Sequence, residues 1–385
     1  MSVLSALGLT SGRKVRYGIV SLGAIAQEGM LPGVAHTGNS EVTALVTGDP
    51  EKARAIGDRY GVADRYGYGE YEAMLRSGKV EAVYIAAPNW RHAEFAVPAL
   101  KAGVHVLLEK GLEVTDAKAR EILDAEKAST AKLMLAYRLH SEPATLDLID
   151  KIRAGTFGDV TLFSSVFTQM LDPANHRARN GDAAGPVLDM GLYPLNAARM
   201  VFEAEPTEVV SAVGTRRPEM GLGDFDDTVA VTLRFPGDRF AQFLLSYAAN
   251  GMDAFSIVGT KGHAVMDPAY LYGKPLEQAV TIGEEKSRET FKNVDHFGGE
   301  MKYFSDCILN DRVPEPDGEE GYADLRVLLA ILEALRSKGP VALAPFARRR
   351  RIDTGAQKVE LKAQTSPALV NASNAGKDRA QIPKN

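Results

Sequence analysis

Apolar runs alternate with stretches of helical spacing from the start of the chain to about His140. Five of the runs read as buried strands: Val15 to Leu22, Val42 to Val46, Ala82 to Ala86, Val104 to Lys110 and Lys132 to Ala136. Strands that alternate with helices predict a parallel sheet with crossover helices. In such a sheet ligands sit outside the carboxyl ends of the strands. The residues that close each run are therefore the candidates for chemistry, and all five ends are expected on one edge.

Beyond His140 the pattern changes. Glu142 to Ala154 is amphipathic and Gly155 closes it. Val209 to Val213, Thr228 to Phe235, Phe240 to Ser246 and Phe255 to Val258 follow closely, with short turns between them, and predict an antiparallel or mixed sheet. Glu320 to Ser337 reads as a long amphipathic helix. The predicted fold class is α/β: an N-terminal Rossmann dinucleotide-binding domain plus a C-terminal α+β domain with an open, largely antiparallel sheet. The expected divisions are an arm at 1–14, the Rossmann domain at 15–141, a substrate and oligomerisation domain at 142–346, and a basic flexible tail at 347–385.

Composition narrows the class. The chain has 385 residues, 45% hydrophobic and 25% charged, with a net charge of −5. A single core rarely exceeds ~250–300 residues, so two domains are expected. Residues 348–385 carry nine Lys or Arg against three Asp or Glu, which leaves the body acidic. A basic tail without aromatic residues for stacking is read as a flexible or partner-wrapping arm, not a nucleic-acid site. Cys307 is the single cysteine, which rules out an internal disulfide and a cysteine-based zinc site. No apolar run is long enough to span a membrane, and the first residues lack a basic n-region. A cytoplasmic protein is expected.

The strand ends supply the chemistry. Ser21-Leu22-Gly23-Ala24-Ile25-Ala26 has the spacing of a dinucleotide fingerprint, with Ser for the first glycine and Ala for the third. The middle glycine lets the backbone approach a pyrophosphate, and the following helix offers free N–H groups. Leu22, Gly23, Ala24 and Ile25 are thus cofactor candidates. The second run ends in Thr47-Gly48-Asp49-Pro50-Glu51-Lys52. An NAD site usually has a carboxylate at that strand end. Thr47 and Gly48 leave room instead, and Lys52 can pair with a 2′-phosphate, which favours NADP over NAD. Asp49 tempers this, and a solvated helix start with Pro50 at its first position fits the same residues.

The third run ends in Pro88-Asn89-Trp90-Arg91-His92. Pro88 breaks the strand and Asn89 can cap the next helix. Pro88, Asn89, Trp90 and His92 are expected to border a nicotinamide; a packing role for Trp90 and a structural role for His92 fit equally. The fourth run delivers Glu109-Lys110 and the fifth Tyr137-Arg138-Leu139-His140. Farther on, Asp189, Tyr193 and Asn196 share one face at helical spacing. Pro194 requires that helix to begin near Leu192 or Tyr193. The structural alternative makes Asp189 an N-cap and Tyr193 a partly buried aromatic.

In order and spacing, these segments resemble the glucose–fructose oxidoreductase/inositol dehydrogenase family (Gfo/Idh/MocA), most closely its glucose–fructose oxidoreductase type. The resemblance runs over about residues 15–345. It is carried by Tyr17 to Ala26, Pro88-Asn89 with His92-Ala93-Glu94-Phe95-Ala96, Glu109-Lys110, Tyr137-Arg138-Leu139-His140, Asp189-Met190-Gly191-Leu192-Tyr193 and Gly318-Glu319-Glu320-Gly321. It implies NAD(P)-dependent redox chemistry on sugars or polyols. It makes Lys110, Asp189 and Tyr193 the catalytic candidates. Glu109, Lys110, Tyr137, Arg138 and Arg177 join the cofactor side; Lys110, His140, Arg177, Asp189 and Tyr193 form the substrate side. Two departures stand out. The family's Glu-Lys-Pro is Glu109-Lys110-Gly111, and glycine does not favour the cis bond common at that proline, since a non-proline cis bond costs ~2.5–4 kcal/mol. Near Asn175-His176-Arg177 the glucose–fructose type has Trp-Arg, of which only Arg177 matches.

The implied chemistry is hydride transfer coupled to proton transfer. Tyr193 is the expected general acid/base, helped by Lys110, because a free tyrosine titrates near ~10. Asp189 would hold a sugar hydroxyl or orient Lys110, and no metal is required. Three functions fit: an NADP-dependent sugar oxidoreductase with tightly held cofactor, an ordinary NADP(H)-releasing dehydrogenase or anhydrosugar reductase, and a non-catalytic NAD(P)-binding regulator. Retention of Lys110, Asp189 and Tyr193 weighs against the last. A homodimer or homotetramer joined through the second sheet is expected.

Overall fold

Residues 12–373 are described by the computed structural model, apart from Arg349 and the side chain of Asp182. Among them, a six-stranded and a nine-stranded sheet carry the fold. The first comprises β1 (Val15–Val20), β2 (Ser40–Val46), β3 (Asp64–Tyr66), β4 (Ala82–Ile85), β5 (His105–Glu109) and β6 (Leu133–Ala136). All are parallel, in the order β3-β2-β1-β4-β5-β6. Strand order reverses between β1 and β4, the crevice where doubly wound sheets bind ligands. The five expected runs are β1, β2, β4, β5 and β6. The sixth, β3, is a three-residue edge strand of half-buried Asp64-Arg65-Tyr66, too short and too polar to show a pattern.

Alternation sorts the strand residues onto two cores. Val20, Val46, Ile85 and Leu108 face one, with Phe95 and Ile122 from two crossover helices. Ile19, Leu45, Tyr84 and Leu107 face the other, with Met30, Leu31 and Ile56. The crossover helices are α1 (Leu31–Val34), preceded by a wide π turn over Ala26–Met30, then α2 (Pro50–Tyr60), α3 (Tyr71–Arg76), α4 (His92–Lys101) and α5 (Asp116–Lys127).

Helix α6 (Pro143–Arg153) starts the second half. Its sheet uses β7 (Val160–Met170), β8 (Glu208–Thr215), β9 (Thr228–Phe235), β10 (Arg239–Ser246), β11 (Ala248–Gly259), β12 (Gly262–Met266), β13 (Glu277–Ile282), β14 (Glu285–Thr290) and β15 (Val341–Ala342). The order is β14-β13-β12-β11-β7-β10-β9-β8-β15, antiparallel except for β10 with β7. Helices α7 (Pro186–Met190), α8 (Leu192–Phe202), α9 (His296–Leu309), α10 (Gly318–Ser337) and α11 (Thr354–Gln357) complete it. Pro194 is tolerated because α8 begins at Leu192. Helices cover one sheet face; the other leaves Leu162, Leu244, Met252 and Val258 exposed. Helix α9 crosses back to pack Phe297, Met301 and Phe304 on the first sheet.

The tail departs from the expected flexible arm. Arg348 is buried, with Nε 2.7 Å from Glu320 Oε2 and a guanidinium nitrogen 2.5 Å from Asp317 Oδ1. Lys362 bridges to Val294, and residues to Ser373 run along the first domain. Of the basic residues that suggested a solvated tail, Arg348 answers acidic groups at the start of α10 and Arg351 answers Glu205. The expected arm falls mostly outside the described residues, as does the tail after Ser373.

Candidate active site

The end of β5 delivers Glu109 and Lys110 into the crevice. Glu109 is buried and accepts hydrogen bonds from the Tyr84 hydroxyl (2.5 Å) and the Lys110 N–H (3.2 Å). Burial pushes its pKa up, against the pull of Tyr84 and Lys110. Glu300, on α9, is also buried and raised well above the carboxylate range, by burial and then by Glu109. Burial and the neighbouring Glu109 carboxylate thus favour the neutral form of Glu300.

Lys110 reaches across to the second half. Its Nζ donates to the carbonyl oxygen of Asp189 (2.9 Å) and to Oδ1 (3.0 Å). The other carboxylate oxygen accepts from the Tyr247 hydroxyl (2.6 Å) and lies 3.1 Å from Arg177 Nε. Burial raises the Asp189 pKa, but Lys110 and Arg177 outweigh it and hold the carboxyl well below its usual range. Burial lowers the Lys110 pKa, and Asp189 and Tyr193 more than reverse it. The result is a fixed ammonium on a fixed carboxylate. The Lys110-Gly111 peptide is cis, the form glycine was not expected to favour.

Tyr193 stands beside this pair. Lys110 Nζ is 5.2 Å from its ring centroid and the Arg138 guanidinium 5.4 Å. Its ring packs edge-on against Phe167 and tilted against Tyr270. Arg138 is buried and donates to the Tyr270 carbonyl and to His296 Nδ1. It stacks its guanidinium beside the Tyr193 ring. At the mouth, Trp90 and the exposed His176 approach with ring centroids 5.8 Å apart, one from each half of the chain.

Several expected residues lie elsewhere. His92 is fully buried, with Nδ1 2.8 Å from the Gly111 carbonyl and Nε2 3.0 Å from that of Ala87. Burial pushes its pKa down to about 4, so it is neutral. It braces the Pro88 turn against the Lys110 turn, with both ring nitrogens engaged on backbone carbonyls. Asn89 does not cap α4, which begins at His92 after a 3₁₀ turn; its amide donates to the Leu188 carbonyl at 3.5 Å. His140 is buried between Glu315 (3.1 Å) and Asn196 (2.8 Å), away from the substrate side. Asn196 in turn donates to Glu320 and Asp324, joined there by Arg199. The Tyr137 ring packs edge-on against His140, and burial, with Asp324 and Glu320 nearby, pushes its hydroxyl pKa well up. The expected single helical face is split: Asp189 lies in α7, Tyr193 and Asn196 in α8 beyond Gly191, and α8 is buried nearly all round, with Asn196 packed against α10. Tyr247 was missed: it closes β10, and only the fold brings it to Asp189.

At the cofactor end, Ser21 holds φ 66°, the left-handed conformation that a first glycine usually supplies. A Cβ on Gly23 would meet nothing within 4 Å, so the cradle is open there. Leu22 is buried, while Ala24 and Ile25 are half-buried beside it. Thr47 Oγ1 accepts from Asp49 N, and Asp49 Oδ1 caps α2 through Lys52 N at 2.9 Å. Gly48 is exposed at the strand end and Lys52 sits in the first turn of α2. An open glycine turn on the switch point fits a dinucleotide pyrophosphate.

Comparison with known proteins agrees. Residues 15–137 match the model of the oxidoreductase family with an NAD-binding Rossmann fold, and residues 146–265 that of the GFO/IDH/MocA C-terminal domain. The chain is 30% identical over 339 residues to D-xylose 1-dehydrogenase [NADP(+)] of Haloarcula marismortui, covering 86% of this chain and 93% of that one. It is 32% identical over 278 residues to trans-1,2-dihydrobenzene-1,2-diol dehydrogenase of Bos taurus, covering 71% and 79%. Its fold superposes on an aldose-aldose oxidoreductase from Caulobacter crescentus, solved with glycerol, with a TM-score of 0.81 and 32% identity over 86% of this chain and all of that one. The chain is an oxidoreductase of the Gfo/Idh/MocA family.

Proposed function

We propose that this NAD(P)-dependent sugar or polyol oxidoreductase prefers NADP(H) and oxidises or reduces a CH–OH carbon of an aldose or cyclic sugar. The observation that carries the reading is Lys110 fixed on Asp189 at the crevice edge beside Tyr193. Gly23, Ala24, Thr47, Gly48 and Lys52 hold the dinucleotide, with Pro88 and Asn89 toward its nicotinamide end. When bound, that group supplies the hydride acceptor or donor. Tyr193 gives or takes the hydroxyl proton. The Lys110 ammonium stabilises negative charge on the Tyr193 oxygen and on the substrate oxygen. Asp189, itself held by Arg177 and Tyr247, keeps Lys110 in place. Trp90 and His176 shield the mouth from water.

NADP-linked D-xylose oxidation by one relative and aldose chemistry in another support an aldose substrate. The absorbance spectrum of the purified protein after gel filtration shows whether NADP(H) stays bound. Turnover with D-xylose and other aldoses, with NADP+ and with NAD+, tests the rest. Faster turnover with NAD+ at equal concentration would reject the NADP preference; inertness toward every aldose and polyol would reject the substrate class.

The exposed face of the nine-stranded sheet offers Leu162 (48% exposed) paired with Val258 (42%) on the next strand, and Leu244 (46%) farther along, opposite Val166. We assign this face to a homodimer or dimer of dimers.

A further inference from the structure

The C-terminal strap has no part in the site so far described, yet it ends on it. From Leu361, whose carbonyl accepts from Asp295 N, the chain runs along α1 and the turn before it. The Ser366 hydroxyl donates to the Glu28 carbonyl (3.0 Å) and Arg59 to that of Ala368 (3.0 Å). The strap then meets Gln27, buried four residues after the fingerprint glycine. Val370 N–H donates to Gln27 Oε1 (2.8 Å), and Gln27 Nε2 donates both to the Val370 carbonyl (2.9 Å) and to the Leu22 carbonyl of the fingerprint turn (2.8 Å). One residue on, Asn371 Nδ2 donates to Asp49 Oδ2 (3.1 Å), while Asp49 Oδ1 accepts from Lys52 N (2.9 Å).

Both turns that hold the adenosine end are therefore tied to one short stretch of chain more than 300 residues away in sequence. The Asp49 tie bears on specificity. A carboxylate free to turn toward the ribose would accept from a 2′-hydroxyl and repel a 2′-phosphate. Here both of its oxygens are engaged on the helix start and the strap. We infer that residues 366–371 form a clasp belonging to the dinucleotide site. In it Val370 steadies the fingerprint turn through Gln27, and Asn371, by pinning Asp49, is a positioning residue for 2′-phosphate preference. This rests on the NADP(H) reading above.

The test uses the full-length chain and ligands that carry only the adenosine end. Calorimetric titration with adenosine 2′,5′-bisphosphate and with 5′-AMP gives both affinities and their ratio. Asn371→Ala should weaken the bisphosphate by about two- to ten-fold, the net worth of one hydrogen bond, and leave 5′-AMP unchanged or tighter. Adding Asp49→Asn should restore the ratio, because Asn still caps α2 but carries no charge. Val370→Pro, which removes the N–H that meets Gln27, should weaken both ligands alike. Wild-type affinities in both single variants overturn the clasp. An Asn371→Ala loss that is equal for both ligands overturns the specificity role. A wild-type chain with no preference for the bisphosphate instead rejects the NADP reading, and Val370→Pro still tests the clasp.

Discussion

Replacing Asp189 by Asn keeps the shape of the side chain and removes its charge. Two cations lose their partner: Lys110 Nζ at 3.0 Å and Arg177 Nε at 3.1 Å. At an effective dielectric of about 20, each contact at that range has a gross attraction of about 5 kcal/mol, most of it offset by desolvation. Removing one member of a buried pair costs about 3–5 kcal/mol. The side chains of Lys110 and Asp189 are 18% exposed and that of Arg177 31%, which places the loss nearer ~2–3 kcal/mol. Without Asp189, burial governs Lys110 and its pKa moves down instead of up. The sign follows. A raised lysine pKa stabilises the fold below the ordinary lysine range and that contribution fades as pH rises through the folded value, so the mutant loses it across neutral pH. Urea unfolding at neutral pH measures the stability term, and calorimetric titration with NADP+ measures cofactor affinity. With Lys110 no longer fixed, kcat should fall by about 10²-fold or more, while NADP+ affinity stays near wild type. A variant with wild-type stability and turnover would refute the account of Lys110. A loss of cofactor affinity in proportion to kcat would move Asp189 to the cofactor site.

Lys52→Ala should weaken NADP+ binding by about 1–3 kcal/mol and NAD+ binding by much less; titration with both cofactors checks this, and equal losses reject the assignment. Leu244→Glu, in the middle of the exposed sheet face, should convert a dimer or tetramer to smaller species in light scattering, and a wild-type chain that is already a monomer at micromolar concentration counts against that face. His92 binds its proton less readily when folded, about 4 against an ordinary 6.5. The unfolded chain is therefore the more protonated form in that window, and stability should fall as pH drops from about 6.5 toward 4, by at most ~1.4 kcal/mol per pH unit from this one group. Urea midpoints at a series of pH values measure the slope, which should decrease in His92→Gln.

The sequence made the first domain legible because fully buried parallel strands read as uninterrupted apolar runs, each ending on the ligand edge. Lys110 could be found that way, Asp189 and Tyr193 only through helical spacing and the family resemblance, and the fold brings the three together from two halves of the chain. Local pattern failed where the partner was remote. Arg348 read as part of a solvated basic run, but Asp317 and Glu320 bury it. His140 looked like a strand-end ligand, but Glu315 and Asn196 enclose it. Val160–Met170, the central strand of the second sheet, interleaves Ser and Thr with Val and Phe and was passed over, although its alternation was present. Tyr247 carried no local signal at all, since its role depends on where β10 ends relative to α7.

The central claim is that Lys110 and Tyr193 act as one unit in sugar redox chemistry. It is tested most directly by following the reduced-nicotinamide absorbance when full-length protein saturated with NADP+ is mixed with the best aldose. Wild type, Lys110→Ala, Tyr193→Phe and the double variant are compared, with NADP+ binding measured for each. The account predicts reduction in wild type, retained NADP+ binding in all four, losses of at least ~10²-fold in each single variant, and a double variant hardly slower than the slower single. Near-normal reduction by Lys110→Ala, or losses that multiply in the double variant, would contradict it.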